Sequence, residues 1–313
     1  VDFTPSPEQQ AVADVVTSVL ERENTWDALV SGGVVALAVP DRLGGDGLGL
    51  PEAATALTEI GRRGTTGPAL ATIGLALVPL VDLATEAQQD RYLAGVASGA
   101  VLSAALNEAG NQLPEKPSTS YAGGKLNGTK IGVPYAETAQ WLLVTTDSGV
   151  VVVSPTAAGV TVEKTPTANG SDEYVVTFTD VAVADDEVLA GATVARVNEL
   201  ALAMIGAFGA GLVAGALRLT ADYTATREQF GRPLSTFQTV AAQLSEVYIA
   251  SRTIDLVSTS VVWRAPPAMR LCHHLHGGMG MDITYPMDRY YSSIKDLNRL
   301  LGGPSHRLDL VGA

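Results

Sequence analysis

Cysteine is all but absent: Cys272 is the only thiol in 313 residues, which excludes an internal disulfide and fits a reducing cytoplasm. Basic residues are scarce. Twenty Lys and Arg stand against 33 Asp and Glu, a formal net charge of −13 at pH 7, and no Lys/Arg cluster offers the phosphate contacts on which nucleic-acid binding runs. The opening "VDFTPSPEQQ" has neither a basic segment nor an apolar one, so it does not read as a signal peptide. What is plentiful is apolar surface: 46% of residues are hydrophobic and 17% charged, enough for a large core and more than one domain.

Long apolar runs are few, and one needs explaining. Residues 200–217, "LALAMIGAFGAGLVAGAL", carry no charge and sit at the lower length limit for crossing a bilayer. The run is mostly Ala and Gly, without an aromatic belt or flanking Lys/Arg asymmetry. A helix buried on all sides of a bundle reads the same way, because small residues admit close neighbours. We read a core helix and expect no membrane association.

Three blocks follow one another. Residues 1 to about 100 read as helices: Val12, Val15, Val16, Val19 and Leu20 recur at spacings of three and four. "LPEAATALTEIGRRG" starts near Pro51 and stops at Gly64, and "TEAQQDRYLAGVASG" opens on Thr85 and Glu86. From 101 to 188 the period changes to two, with β-branched runs joined by Asp147-Ser148-Gly149, which predicts a mostly antiparallel sheet. From 189 to 313 helices return, expected over 197–226, 239–264 and 287–300. Helix, sheet, helix is an α+β chain.

One length does not balance. A helix from Thr239 to Arg264 would run ~39 Å, while the returning segment Pro266–His276 covers only ~16 Å. This points to a stretch missing between Ala265 and Pro266, or to a natural deletion there.

"CHHLHGGMGM", residues 272–281, poses the functional question. It could be a metal site of Cys272, His273, His274 and His276, or a glycine turn where backbone approaches a phosphate-bearing cofactor. Only Cys272 and His276 share a helix face, and a metal needs three or four converging ligands. The turn is the better reading, and no metal is expected.

With "YTATREQFGRPLSTFQ" (223–238) before "HHLHGGMGM", the chain resembles the acyl-CoA dehydrogenases. "VALAVPDRLGGDGLGLPEAATALTEIGRR" and "YAGGKLNGTK" are similar to that family's N-terminal Gly-Gly turn and to its Gly-x-Lys hairpin. The resemblance implies an N-terminal helical domain, a middle β-domain and a C-terminal four-helix bundle. It also implies FAD, whose ADP half these C-terminal motifs hold across a subunit interface. Arg227 can fork onto pyrophosphate oxygens. Phe230 and Phe237 offer apolar faces, and Gln229 and Gln238 can hydrogen-bond. His274 stands where the family usually has a cofactor-touching glutamine. Gly277 and Gly278 remove the Cβ atoms that would hold backbone N–H groups away. Taken singly, Arg227 could equally pair with an acid and both phenylalanines could be core.

The family's reaction takes a proton from the carbon α to a thioester and passes hydride from the β carbon to flavin, so it needs a carboxylate base. By resemblance that glutamate falls on Gly302, or in other members on Ala201, followed by Leu202 in place of an arginine. Neither can accept a proton. Glu199 is two residues away, a rotation of about 200° around the helix. The family's flavin loop reads "NEAGNQLP" here: only Glu108 survives, and its pyrophosphate serine falls on Leu113. The next flavin-facing residues are Gly132, Val133 and Pro134, and Pro134 has no N–H to give.

The half of a flavin site that would be lent to a neighbour is kept, and the half this chain would use itself is lost. That pattern implies a heteromeric α2β2 enzyme, similar to those of actinobacterial steroid side-chain degradation. A related subunit would supply the base, an acyl-CoA would be the substrate, and an electron-transfer flavoprotein would take the electrons. Two alternatives stay open: a self-sufficient enzyme using a base such as Glu199, and a non-enzymatic acyl-CoA- or protein-binding scaffold.

Overall fold

The computed structural model describes residues 4–257 and 260–306. The N-terminal helices begin with α1 (Pro7–Arg22), which Ser6 and Gln9 close in a reciprocal capping box. Next come α2 (Trp26–Ser31) and α3 (Leu50–Arg62). A buried π-helical run, Leu70–Leu77, leads into α4 (Val78–Leu83). α5 (Glu86–Tyr92) has a second capping box, made by Thr85 and Gln88.

The strands form two sheets. β1 (Leu102–Ala105) pairs in parallel with β4 (Trp141–Thr146), which turns through Asp147 and Ser148 into β5 (Gly149–Val153). The second sheet is antiparallel, in the order β2 (Ser120–Ala122), β3 (Lys125–Pro134), β7 (Glu173–Ala182), β6 (Val160–Thr165). Leu126, Val144, Val151, Val176 and Phe178 fill the space between them. Strand β3 loses register between Lys130 and Val133, at Gly132 with its φ of 62°.

The last block is a four-helix arrangement: α6 (Val194–Thr226), α7 (Gln238–Leu256), α8 (Val261–His276) and α9 (Pro286–Leu300). A two-strand hairpin, β8 (Glu228–Gln229) and β9 (Arg232–Pro233), joins α6 to α7. The apolar run 200–217 lies within α6 and is mostly buried, as read from its small residues. Those residues are used for close approach: a Cβ at Gly211 or Gly215 would collide with the carbonyl of Thr58 or Arg62 on α3.

The 26-residue helix expected from Thr239 to Arg264 is a correction. The chain leaves α7 at Leu256 and re-enters helix at Val261, giving arms of ~28 and ~24 Å. Ala265, Pro266 and Pro267 lie inside α8, so the backbone there forgoes two N–H donors.

Candidate functional site

The end of α6 builds an exposed platform. Arg227 leaves the helix in an extended conformation, its N–H donating to Tyr223 O at 2.8 Å and its carbonyl accepting from Leu234 N at 2.9 Å. Gln229 pairs with Arg232, which leaves Phe230 and Gly231 as the two turn residues, with φ of 53° and 77°. Two positive φ values make the hairpin turn that follows strand twist, a turn that favours Asn-Gly. A phenylalanine there costs about 1–2 kcal/mol, yet Phe230 is also 91% exposed. Phe237 meets it edge-on, with ring centroids 6.2 Å apart at 74°. Gln229 Nε2 donates to Glu228 O at 2.7 Å, and Gln238, the first residue of α7, is exposed. Arg227 is exposed and has no acidic partner among the described residues.

The glycine turn lies at the same end of the bundle. Helix α8 stops at His276, whose ring stacks on Tyr223 of α6 at 4.4 Å. Thr220 donates its hydroxyl to Ala216 O at 2.7 Å, so His276 Nε2, 3.2 Å away, must be the donor to Thr220 Oγ1. Burial, helped by the neighbouring His273, pushes the imidazole pKa down to about 4 and keeps it neutral. Gly277 takes φ 57° and ψ −135°, and its N–H donates to His274 O. A Cβ on Gly277 or Gly278 would meet nothing within 4 Å. Nothing inside this chain fills the space they leave, which suits a group approaching from outside.

The four candidate metal ligands diverge. Cys272 and His276 are buried, His273 stacks on Tyr291 at 4.7 Å, and His274 faces solvent. Burial raises the Cys272 thiol to about 11, which leaves it protonated at neutral pH.

The other half-site is closed by the chain itself. Glu108 is buried against Lys130 Nζ at 2.9 Å and accepts from Ser118 N and Oγ and from Thr119 N and Oγ1 at 2.7–2.9 Å. Burial pushes this carboxyl up, but the five donors together outweigh it and hold the pKa down to about 2. Leu113, where the resemblance puts a pyrophosphate-binding serine, is 4% exposed with φ 51°. Its N–H donates to Asn107 Oδ1, and its carbonyl accepts from Asn198 Nδ2.

Beside Gly132, Arg299 makes a two-pronged pair with Glu173 at 2.7 and 2.5 Å. Asp296 accepts from the backbone N–H groups of Ala168 and Asn169. Pro134 O accepts from Ser103 Oγ. The cavity remaining among Leu70, Leu75, Gly132, Pro134, Phe208 and Leu297 is about 90 Å³, against roughly 300–1,000 Å³ for sites that take cofactor-sized ligands.

Gly302 stands where the resemblance puts the base. Its φ is 79°, and a Cβ there would stand 2.5 Å from His306 Cδ2 and 2.9 Å from Gln112 Oε1. His306 is anchored by donating Nε2–H to Gln112 O at 3.0 Å. At the second base position, Ala201 is fully buried and Leu202 half-buried. Glu199 faces away from that buried face: its side chain is 67% exposed and lies 3.5 Å from Arg196. The residues present therefore fit no flavin ring on this side, whereas the open hairpin and glycine turn fit the ADP half.

The sequence motifs carry Arg227, Phe230, Gly277 and Gly278 but not the contacts that close the other side. Arg299 and Glu173 are 126 residues apart, and no local pattern announces their pairing. Arg232 was visible between Phe230 and Phe237; its position above Phe237 was not.

Known proteins bear on this geometry. The N-terminal domain model of the acyl-CoA dehydrogenases matches residues 6–100 and the C-terminal domain model residues 195–268. Acyl-CoA dehydrogenase FadE28 of Mycobacterium tuberculosis is 66% identical over all of this chain and 98% of its own length. FadE27 of the same organism is 29% identical over all of this chain and 93% of its own. A chain of the ChsE4-ChsE5 complex from M. tuberculosis superposes with a TM-score of 0.88 at 26% identity, covering 100% of this chain and 98% of that one. A Tcur3481-Tcur3483 steroid ACAD variant gives 0.89 at 29%, covering 97% and 96%. The chain belongs to the acyl-CoA dehydrogenase family, whose members are FAD-using oxidoreductases.

Proposed function

We propose that this chain is the subunit of a heteromeric acyl-CoA dehydrogenase that grips the ADP half of FAD without supplying a catalytic base. A related dehydrogenase subunit would carry the base and the flavin-ring pocket in an α2β2 assembly. One observation carries the reading: at the base position Gly302 holds a φ of 79° and a side chain there would have to displace His306 and Gln112, while Arg227, Phe230, Gly277 and Gly278 stand open and unfilled at one end of the bundle.

Bound between the two chains, FAD would accept the hydride from the substrate's β carbon. This chain's residues would bind and orient. Arg227 would fork onto pyrophosphate oxygens, a charge-assisted contact stronger than a neutral one. Phe230 and Phe237 would cover the adenosine end, with Gln229, Gln238 and His274 as hydrogen-bonding neighbours, and the backbone at Gly277 and Gly278 could approach closely. The α-proton must go to the partner, because Ala201, Leu202 and Gly302 offer no acceptor.

The substrate class is proposed as a bulky acyl-CoA, a steroid side-chain thioester. Support comes from FadE28, an acyl-CoA dehydrogenase by name, for the thioester, and from the steroid ACAD complex that this fold resembles for the bulky acyl group. An electron-transfer flavoprotein would receive the electrons, and the cytoplasm is the proposed setting, in keeping with the single buried thiol. The alternative in which Glu199 acts as base finds no support in that residue's exposed position.

Flavin absorbance per chain tests the reading, measured on this chain alone and after co-purification with its related subunit. One FAD per unlike pair and none on the lone chain is the expected result. Flavin held by the lone chain would overturn it.

A further inference from the structure

The hairpin that presents Phe230 has little to hold it. Each strand is two residues long, Pro233 has no N–H to give, and the turn places a bulky residue at φ 53°. Phe230, 91% exposed, meets Phe237 in a T-shaped ring pair, so its position depends on where Phe237 sits. Phe237 in turn is covered on one face by Arg232, whose Cζ is 4.1 Å from the ring centroid. That is close for a guanidinium over an aromatic ring, where attraction extends to about 6 Å. Arg232 has no acidic partner among the described residues, although eight other arginines do. Its ordered feature is the stack.

We infer that Arg232 is a positioning residue for the cofactor-binding platform: stacked on Phe237, it sets the ring against which Phe230 stands ready for an adenosine-bearing ligand. The inference rests on the proposed function. Arg232 acts through the two rings and touches no phosphate, whereas Arg227 meets the pyrophosphate directly. A planar guanidinium is needed for this, since an ammonium keeps the charge but loses the flat contact.

The test is FAD affinity of the complex of this chain with its related subunit, stripped of flavin and titrated by flavin fluorescence at low and high salt. Arg232→Gln is expected to weaken binding about fivefold, the worth of an exposed cation–π contact, with the salt dependence of the wild type. Arg232→Lys should fall between the two. Arg227→Ala should weaken binding and also flatten the salt dependence, because a charged contact is lost. ADP should compete less well against FAD fluorescence in Arg232→Gln than in the wild type.

If Arg232→Gln binds FAD as wild type does, or flattens the salt dependence as Arg227→Ala does, the positioning role is overturned while the proposed function stands. If Arg227→Ala leaves affinity and salt dependence unchanged, the proposed function itself fails. Circular dichroism of each variant separates these outcomes from misfolding.

Discussion

The two regions of the molecule that the family resemblance sets against a cofactor differ in kind. On one side, residues 107–114, 173 and 299–306 are tied into the chain by Glu108–Lys130, Arg299–Glu173, Asn198–Leu113 and His306–Gln112, and the cavity beside Gly132, Glu173 and Leu300 is about 90 Å³. On the other, the Arg227–Gln238 segment and the Gly277-Gly278 turn are exposed and make few contacts inside the chain. On the proposed reading, loss of a site is not mere decay. A buried polar group left without its ligand costs free energy until something pairs it, and here the chain's own side chains have done so. An exposed platform has no such cost in water, and it persists only where an outside group uses it.

The contrast can be broken at several places. The largest effect is expected at Gly302→Glu, which restores a carboxylate where the resemblance puts one. The side chain must adopt φ near 79° and displace His306 and Gln112, a penalty of about 3 kcal/mol. Thermal unfolding should show a fall in midpoint with no flavin gained by the lone chain. Turnover by this variant alone would mean that the closed side is only one substitution from function.

A smaller effect sharpens the open side. Gly278→Ala adds a methyl that meets nothing in this chain, so the lone chain should unfold within about 0.5 kcal/mol of wild type. The complex should nevertheless lose flavin on gel filtration, because the methyl stands where the cofactor would approach. Unchanged retention would place the cofactor elsewhere. The smallest effect belongs to Glu199→Gln. An exposed i,i+3 pair with Arg196 is worth a few tenths of a kcal/mol, and steady-state turnover of the complex should stay within error. A large fall in kcat would return Glu199 to the role of base.

The order helix, sheet, helix was legible because each block keeps one hydrophobic period over many residues, and α6 could be read from Ala and Gly alone. That α7 ends at Leu256 was not legible, since its apolar pattern continues past that residue. At the site, Arg227, Phe230, Gly277 and Gly278 could be picked out because local motifs carry them. That Phe230 sits at positive φ followed from no residue preference, as Asn would have been the choice there. The closure of the opposite side joins Asn107 to Leu300 and Gln112 to His306 across 193 and 194 residues, a distance at which a single sequence carries no pairing signal.

Glu108 has one more consequence, and it concerns ancestry. It and Lys130 hold each other in a dry interior, so losing either one alone strands a charge at a cost of about 3–5 kcal/mol. A lineage can let a cofactor-touching serine drift to Leu113 in a single step, but it must abandon this pair in two steps with a trough between them. On the proposed function, parts of a site that also serve as masonry outlast the parts that served only chemistry, and Glu108 is such a part.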